Sequence, residues 1–126
     1  MSSERRASRI LIVDDNDELG EALVMWLGDL GHEVTLAKSA AAAIASARDA
    51  RPDAMVCDIG LPDMTGYELA RAIRADAALA DVRLIALTGF ASPRASEQAD
   101  AAGFDAYLSK PVDPDVLERV LAPSAR

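Results

Sequence analysis

Arg9-Ile10-Leu11-Ile12-Val13-Asp14-Asp15 carries four consecutive apolar residues, Ile10 to Val13, and ends in two adjacent carboxylates. A strand that is apolar at every position, and not only at alternate ones, must be covered on both faces, which is the situation of a parallel sheet flanked by helices. Four more short runs rich in apolar residues lie at 33–36, 54–57, 82–87 and 106–108, and several of the five are apolar throughout. Between them Ala, Leu and Ile recur at helical spacing, which predicts helices over 17–30, 39–50, 66–75, 93–102 and 113–121. Gly31, Pro52 and Gly103 supply stops, while Ser39, Ser92 and Asp113 suit helix starts. The alanine-rich 40–47 reads as ordinary helix, with Ile44 as its apolar contact. Five successive strand-helix units predict an open, doubly wound α/β fold: a five-stranded parallel sheet of order 2-1-3-4-5 with five helices on its two faces. In such a sheet ligands bind outside the carboxyl ends of the strands, near the switch in strand order between the first and third.

The chain has 126 residues, 51% of them apolar, enough for one core. The expected domain covers 9–122, with disordered tails at 1–8 and 123–126. Thirteen Lys and Arg against 21 Asp and Glu give a net charge of −8, which disfavours nucleic acid as a direct ligand. A single cysteine, Cys57, can build neither a disulfide framework nor a thiolate zinc cluster, so a reducing, cytoplasmic setting is expected. No apolar run approaches the roughly 18 residues of a membrane span, and no membrane partner is expected.

The strand ends carry the chemistry. Asp14 and Asp15 follow the first strand, and Asp58 follows Met55-Val56-Cys57 of the third. If these strands are neighbours, three carboxylates converge, and like charges a few ångströms apart repel by several kcal/mol at an effective dielectric of about 20. A cation is implied. Oxygen donors without His or Cys favour a hard ion, Mg²⁺ or Mn²⁺. Thr88 ends the fourth strand, and Ser109-Lys110-Pro111 follows the fifth. Carboxylates, a hydroxyl and an ammonium in one pocket are what accepting a phosphoryl group requires, with Asp58 as the attacking group.

These features resemble the receiver domain of the two-component response-regulator family, CheY-like and flavodoxin-like in fold. The resemblance rests on Asp14-Asp15, on Asp58-Ile59-Gly60-Leu61-Pro62-Asp63-Met64-Thr65-Gly66, on Thr88, and on Tyr107-Leu108-Ser109-Lys110-Pro111. It implies that Asp58 is the phosphoacceptor, and that Asp14, Asp15, Asp58 and the Gly60 carbonyl hold the metal. It further implies that Thr88 and Lys110 grip the phosphoryl group, that the Lys110-Pro111 peptide is cis, and that Thr88 and Tyr107 form the switch. The implied donor is a histidine kinase or histidine phosphotransfer protein. The output surface would be the fourth helix, fifth strand and fifth helix, through which a monomer could form a weak dimer. Such a protein is not an enzyme in the usual sense, since it catalyses only its own phosphorylation and dephosphorylation. It would act alone or as a receiver of a hybrid histidine kinase. Gly60 and Gly89 depart from commoner family residues and bear on phosphoryl lifetime.

Two rival readings differ in class. Asp15-Asn16-Asp17 has the Asp-x-Asp spacing of haloacid-dehalogenase-like phosphohydrolases, but lacks a following Thr-rich turn and cap. A docking module that is never phosphorylated would be expected to lack the Asp or the Lys. Met25, Trp26 and Leu30 read as core or packing residues, His32 as a loop residue, and Cys57 as a small buried hydrophobe. Tyr107 reads as core aromatic or switch.

Overall fold

A computed structural model of the chain describes residues 8–89 and 92–121. Its order is β1 (Arg9–Val13), α1 (Asp17–Asp29), β2 (Glu33–Ala37), α2 (Ala40–Asp49), β3 (Ala54–Asp58), α3 (Gly66–Ala75), β4 (Arg83–Thr88), α4 (Pro93–Ala102), β5 (Ala106–Ser109) and α5 (Pro114–Leu121). All pairings are parallel and the sheet order is β2-β1-β3-β4-β5, as the alternation of segments predicts. Ser8 is tied in, its carbonyl accepting from the Glu33 amide and its own amide donating to His32 Nδ1 at 3.2 Å. The remainder of the expected tails, 1–7 and 123–126, lies outside the described residues, as does position 122 at the expected domain end.

Strand periodicity of two divides the core. Leu11 and Val13 of β1, Met55 and Cys57 of β3, and Leu84 and Ala86 of β4 face a cluster closed by Ala43 and Ala47 of α2, Leu69 and Ile73 of α3, and Ala99 of α4. Ile10 and Ile12, Ala54 and Val56, and Ile85 and Leu87 face the opposite side, against Leu23 and Leu27 of α1 and Leu117 and Leu121 of α5. Every residue of β3 is buried, as befits the central strand.

Element ends follow local hydrogen bonding. Ser39 and Ser92 cap α2 and α4 by accepting from Ala42 and Ala95. Asp113 accepts from the Asp115 amide ahead of α5. Gly103, the residue after α4, and Gly31, two residues past α1, take positive φ, 106° and 98°. The fourth strand starts one residue later than hydropathy suggests, because the Val82 amide turns back to Leu79 and Arg83 is the first residue to pair. Met25 corrects the expectation of a packing role: it is 70% exposed. Two residues from Leu23 and from Leu27, it lies about 200° around the helix from each, so it points to solvent. Trp26 and Leu30 do pack against the α1/α5 side of the core.

Arg74 ties the amino-terminal side of the sheet together. Its guanidinium donates to the carbonyls of Ala80, Val82 and Gly103 and to Asp105 Oδ2, at 2.6–2.9 Å. Asp105 Oδ2 also accepts from the Leu84 amide. The α3–β4 connection, the α4 terminus and the start of β5 therefore share one side chain. Arg74→Ala leaves these carbonyls without their donor and should destabilise the fold by about 2–3 kcal/mol, read as a lowered urea midpoint with unchanged m-value.

Candidate functional site

Strand parity places the acidic groups together. Asp14 continues the series Ile10 and Ile12, and Asp58 continues Ala54 and Val56, while Ile12 pairs with Val56 and Val13 with Cys57. One step further along the same register brings Asp14 beside Asp58. The Asp14 amide extends the pairing past β1 by donating to Ala37 O at 3.0 Å. Among the described residues the buried polar side chains are Asp14, Asp58 and Thr88, and all three lie at the carboxyl edge of the sheet. Asp58 and Thr88 are the last residues of β3 and β4, one position inside the strands that were expected to end before them. The shift follows from ladder pairing, which here includes polar residues: Asp58 pairs with Leu87, and Thr88 with Ser109.

Lys110 follows β5 and is fixed by its own amide, which donates to Thr88 O at 2.7 Å. Its Nζ lies 3.1 Å from Asp58 Oδ1 and 3.6 Å from Asp14 Oδ2. The Lys110-Pro111 peptide is cis, as the resemblance implies. Burial opposes the ammonium, but the hydrogen bond to Asp58 and the charges of Asp14 and Asp58 outweigh it, so the Lys110 pKa is raised and the group stays charged at neutral pH. For Asp14, burial is the largest influence and pushes its pKa up; the Asn16 amide on Oδ1, at 2.9 Å, pulls the other way, and Asp58 adds repulsion.

One carboxylate oxygen from each of Asp14, Asp15 and Asp58 lies within 4.8 Å of the other two. Asp15 is exposed, so the cluster opens to solvent on one side. Asp14 Oδ2 is enclosed and accepts no hydrogen bond. A buried carboxylate oxygen left over beside two further carboxylates, with the Lys110 ammonium as the cation beside them among the described residues, suits a hard divalent cation bound through oxygen. Gly60 sits alongside, since a methyl group on its Cα would stand 3.9 Å from Asp58 Oδ2. Gly66 starts α3 against the strand end itself. A Cβ there would meet Asp58 O at 2.8 Å and Ile59 Cα at 2.9 Å, while its amide bonds Ile59 O.

Tyr107 is half-buried, packs against the α2/α3/α4 side of the core, and holds its hydroxyl enclosed without a hydrogen-bond partner. The ring thus already stands inward. Cys57 is buried, and its thiol is pushed up by burial and by the neighbouring Asp58 and Asp14, which leaves it an inert hydrophobe. The Asp-x-Asp alternative loses its second acid: Asp17 is the first residue of α1 and pairs with Lys38 Nζ at 2.7 Å. Four further residues support the site. Asn16 caps α1, Thr65 and Glu68 form a capping box on α3, and Asp63 accepts from the first amides of α2. The capping box was legible as Thr-x-x-Glu before a helical run. The Asp63 contact joins residues 22 and 23 positions apart and has no local signal.

The family model described as "Response regulator receiver domain" matches residues 10–122. Protein PilH of Pseudomonas aeruginosa is 31% identical over 114 residues, covering 90% of this chain and 94% of its own. In structure the chain is similar to chemotaxis protein CheY4 of Vibrio cholerae, with TM-score 0.87, 31% identity, and coverage of 92% of this chain and 97% of that one. It is also similar to the receiver domain of sensor histidine kinase PA1611 from Pseudomonas aeruginosa, with TM-score 0.84, 36% identity, and coverage of 92% and 95%. That structure carries a magnesium ion coordinated in its active site cleft. Other matched relatives are longer, and the chain spans only 26% of a probable transcriptional regulatory protein TcrX from Mycobacterium tuberculosis and 47% of response regulator MprA from Mycobacterium sp..

The raised pKa of Asp14 fixes the sign of a pH effect. Unfolded, the carboxyl loses its proton near 3.8, whereas the folded protein retains it to higher pH. Over that interval the folded state binds more protons, so this group's contribution to stability falls as pH rises. In metal-free buffer Asp14→Asn should match the parent at the acid end and exceed it by about 1 kcal/mol or more at neutral pH, the usual cost of an unsatisfied buried acceptor. Urea unfolding across pH 3–7 measures the difference, and parallel curves would contradict the assignment.

Proposed function

The chain belongs to the response regulator receiver domain family, and from that premise we propose that it is a phosphoacceptor switch that takes a phosphoryl group from a phosphohistidine onto Asp58. The observation that carries this reading is the Lys110 ammonium held between the carboxylates of Asp58 and Asp14 at 3.1 and 3.6 Å. An Asp58 carboxylate oxygen forms the new bond to phosphorus as the phosphorus–nitrogen bond breaks, and the electron pair leaves with the imidazole. Lys110 draws the phosphoryl oxygens toward Asp58, and the Thr88 hydroxyl donates to one of them. Asp14, Asp15, Asp58 and the Gly60 carbonyl are the residues to hold Mg²⁺ or Mn²⁺, which supplies positive charge to the transferring group. The protein is no classical enzyme, because the group it modifies is its own.

An apolar groove of about 320 Å³ adjoins Lys110, lined by Leu19, Leu23 and Trp26 of α1 and by Pro111, Val112 and Pro114. It offers an apolar helix of the donor, a histidine kinase or histidine phosphotransfer protein, a seat beside the acceptor. No described helix is long and apolar enough to cross a membrane, and the donor reading places the protein in the cytoplasm, as a stand-alone regulator or a receiver of a hybrid kinase. Nucleic acid is not a direct partner on a surface of net charge −8. The output would pass through α4, β5 and α5, with the protein a monomer or weak dimer across that face. As Thr88 moves onto the phosphoryl group, the inward Tyr107 is held in place, so phosphorylation stabilises a rotamer already accessible.

Intact mass after incubation with Mg²⁺ and acetyl phosphate tests the central step. The parent should gain one phosphoryl group and Asp58→Asn none; gain by both would place the acceptor elsewhere. Lys110→Ala should lower the phosphorylation rate by at least about tenfold while leaving a folded protein, as loss of one preorganised charge does at other transfer sites.

A further inference from the structure

The loop between β3 and α3 carries Gly60, and its far end is fixed to a different helix. Asp63 Oδ1 accepts from the Ala40 amide at 2.9 Å and Oδ2 from the Ala41 amide at 3.0 Å. These are the first two residues of α2, whose third amide, that of Ala42, is taken by Ser39 of its own chain segment. The free amides of the first turn are therefore shared between a local cap and one reaching across from the loop. The same hydrogen bonds from Ala40 and Ala41 hold the Asp63 carboxyl below its usual range, so it is an anion at neutral pH, matched to the positive end of α2. The loop is closed at its base by the Gly60–Thr65 bridge and by the Gly66 amide on Ile59 O. Between these two anchors Gly60 lies beside Asp58, where a Cβ would stand 3.9 Å from Oδ2.

We infer that Asp63 is a positioning residue for the metal site: by docking the β3–α3 loop on the amino terminus of α2, it holds the Gly60 backbone where its carbonyl completes the oxygen ligands of Asp14, Asp15 and Asp58. This rests on the metal-binding reading of that cluster and adds to it a residue that touches neither metal nor phosphoryl group. Residues outside the ligand shell that orient it commonly change metal affinity by about 10–100-fold when removed. Asp63 acts on one ligand of several, so the lower end of that range applies.

Calorimetric titration of Mg²⁺ into the parent, Asp63→Ala, Asp63→Asn and Ser39→Ala tests the assignment. Asp63→Ala should weaken Mg²⁺ about tenfold. Asp63→Asn keeps one acceptor oxygen and should fall between it and the parent. Ser39→Ala removes a cap from the same helix without touching the loop, so it should lower the urea midpoint yet bind Mg²⁺ as the parent does. Parental affinity in Asp63→Ala, or equal weakening in Ser39→Ala, would overturn the positioning role while leaving the metal site standing. A parent that binds no Mg²⁺ would remove both.

Discussion

Three carboxylates converge on one sheet edge, and the Lys110 ammonium lies within 4 Å of two of them. Asp14 is buried with one oxygen lacking a hydrogen bond, and Lys110 is the cation within 4 Å of both it and Asp58. Such an arrangement is tolerated only because the backbone imposes it. Asp14 is held by the register of β1 against β3, and Lys110 by its amide on Thr88 O. The stability of the two apolar cores carries the electrostatic cost of the edge, a common trade at sites that bind charged groups. The site therefore suits a bound cation.

The surroundings are built to keep that edge in place. Gly66 allows α3 to start against the Asp58 carbonyl, where any side chain would collide with backbone. Thr65 and Glu68 cap α3, and Asp63 ties the same loop to α2. On the opposite edge of the sheet Arg74 joins the α3–β4 connection, the end of α4 and the start of β5. The carboxyl end of α4 is thus anchored by the Arg74 bond to Gly103 O.

Much of this was legible in the sequence because it depends on periodicity and strand order. Apolar runs such as 10–13 and 54–57 identify buried strands, and the strand-helix alternation restricts the sheet to few topologies. The acids at strand ends then become neighbours. The cis Lys110-Pro111 peptide followed from the resemblance alone. Other features were not legible for a physical reason. Asp63 reaches across 22 and 23 residues of chain and Arg74 across 29 and 31 to Gly103 and Asp105, and nothing in a local window distinguishes them from surface charges. Met25 sat in an apolar stretch but on the wrong side of its helix, a distinction that requires the phase of the helix and not only its presence. The inward position of Tyr107 is likewise a rotamer, which sequence does not specify.

A crystal structure grown with Mg²⁺ and beryllofluoride, an acyl-phosphate stand-in, tests the central claim most directly. The account predicts beryllium bonded to an Asp58 carboxylate oxygen, Lys110 Nζ and the Thr88 hydroxyl on its fluorides, and the metal among Asp14, Asp15, Asp58 and the Gly60 carbonyl. An adduct on another residue, or a metal bound away from that cluster, would contradict it.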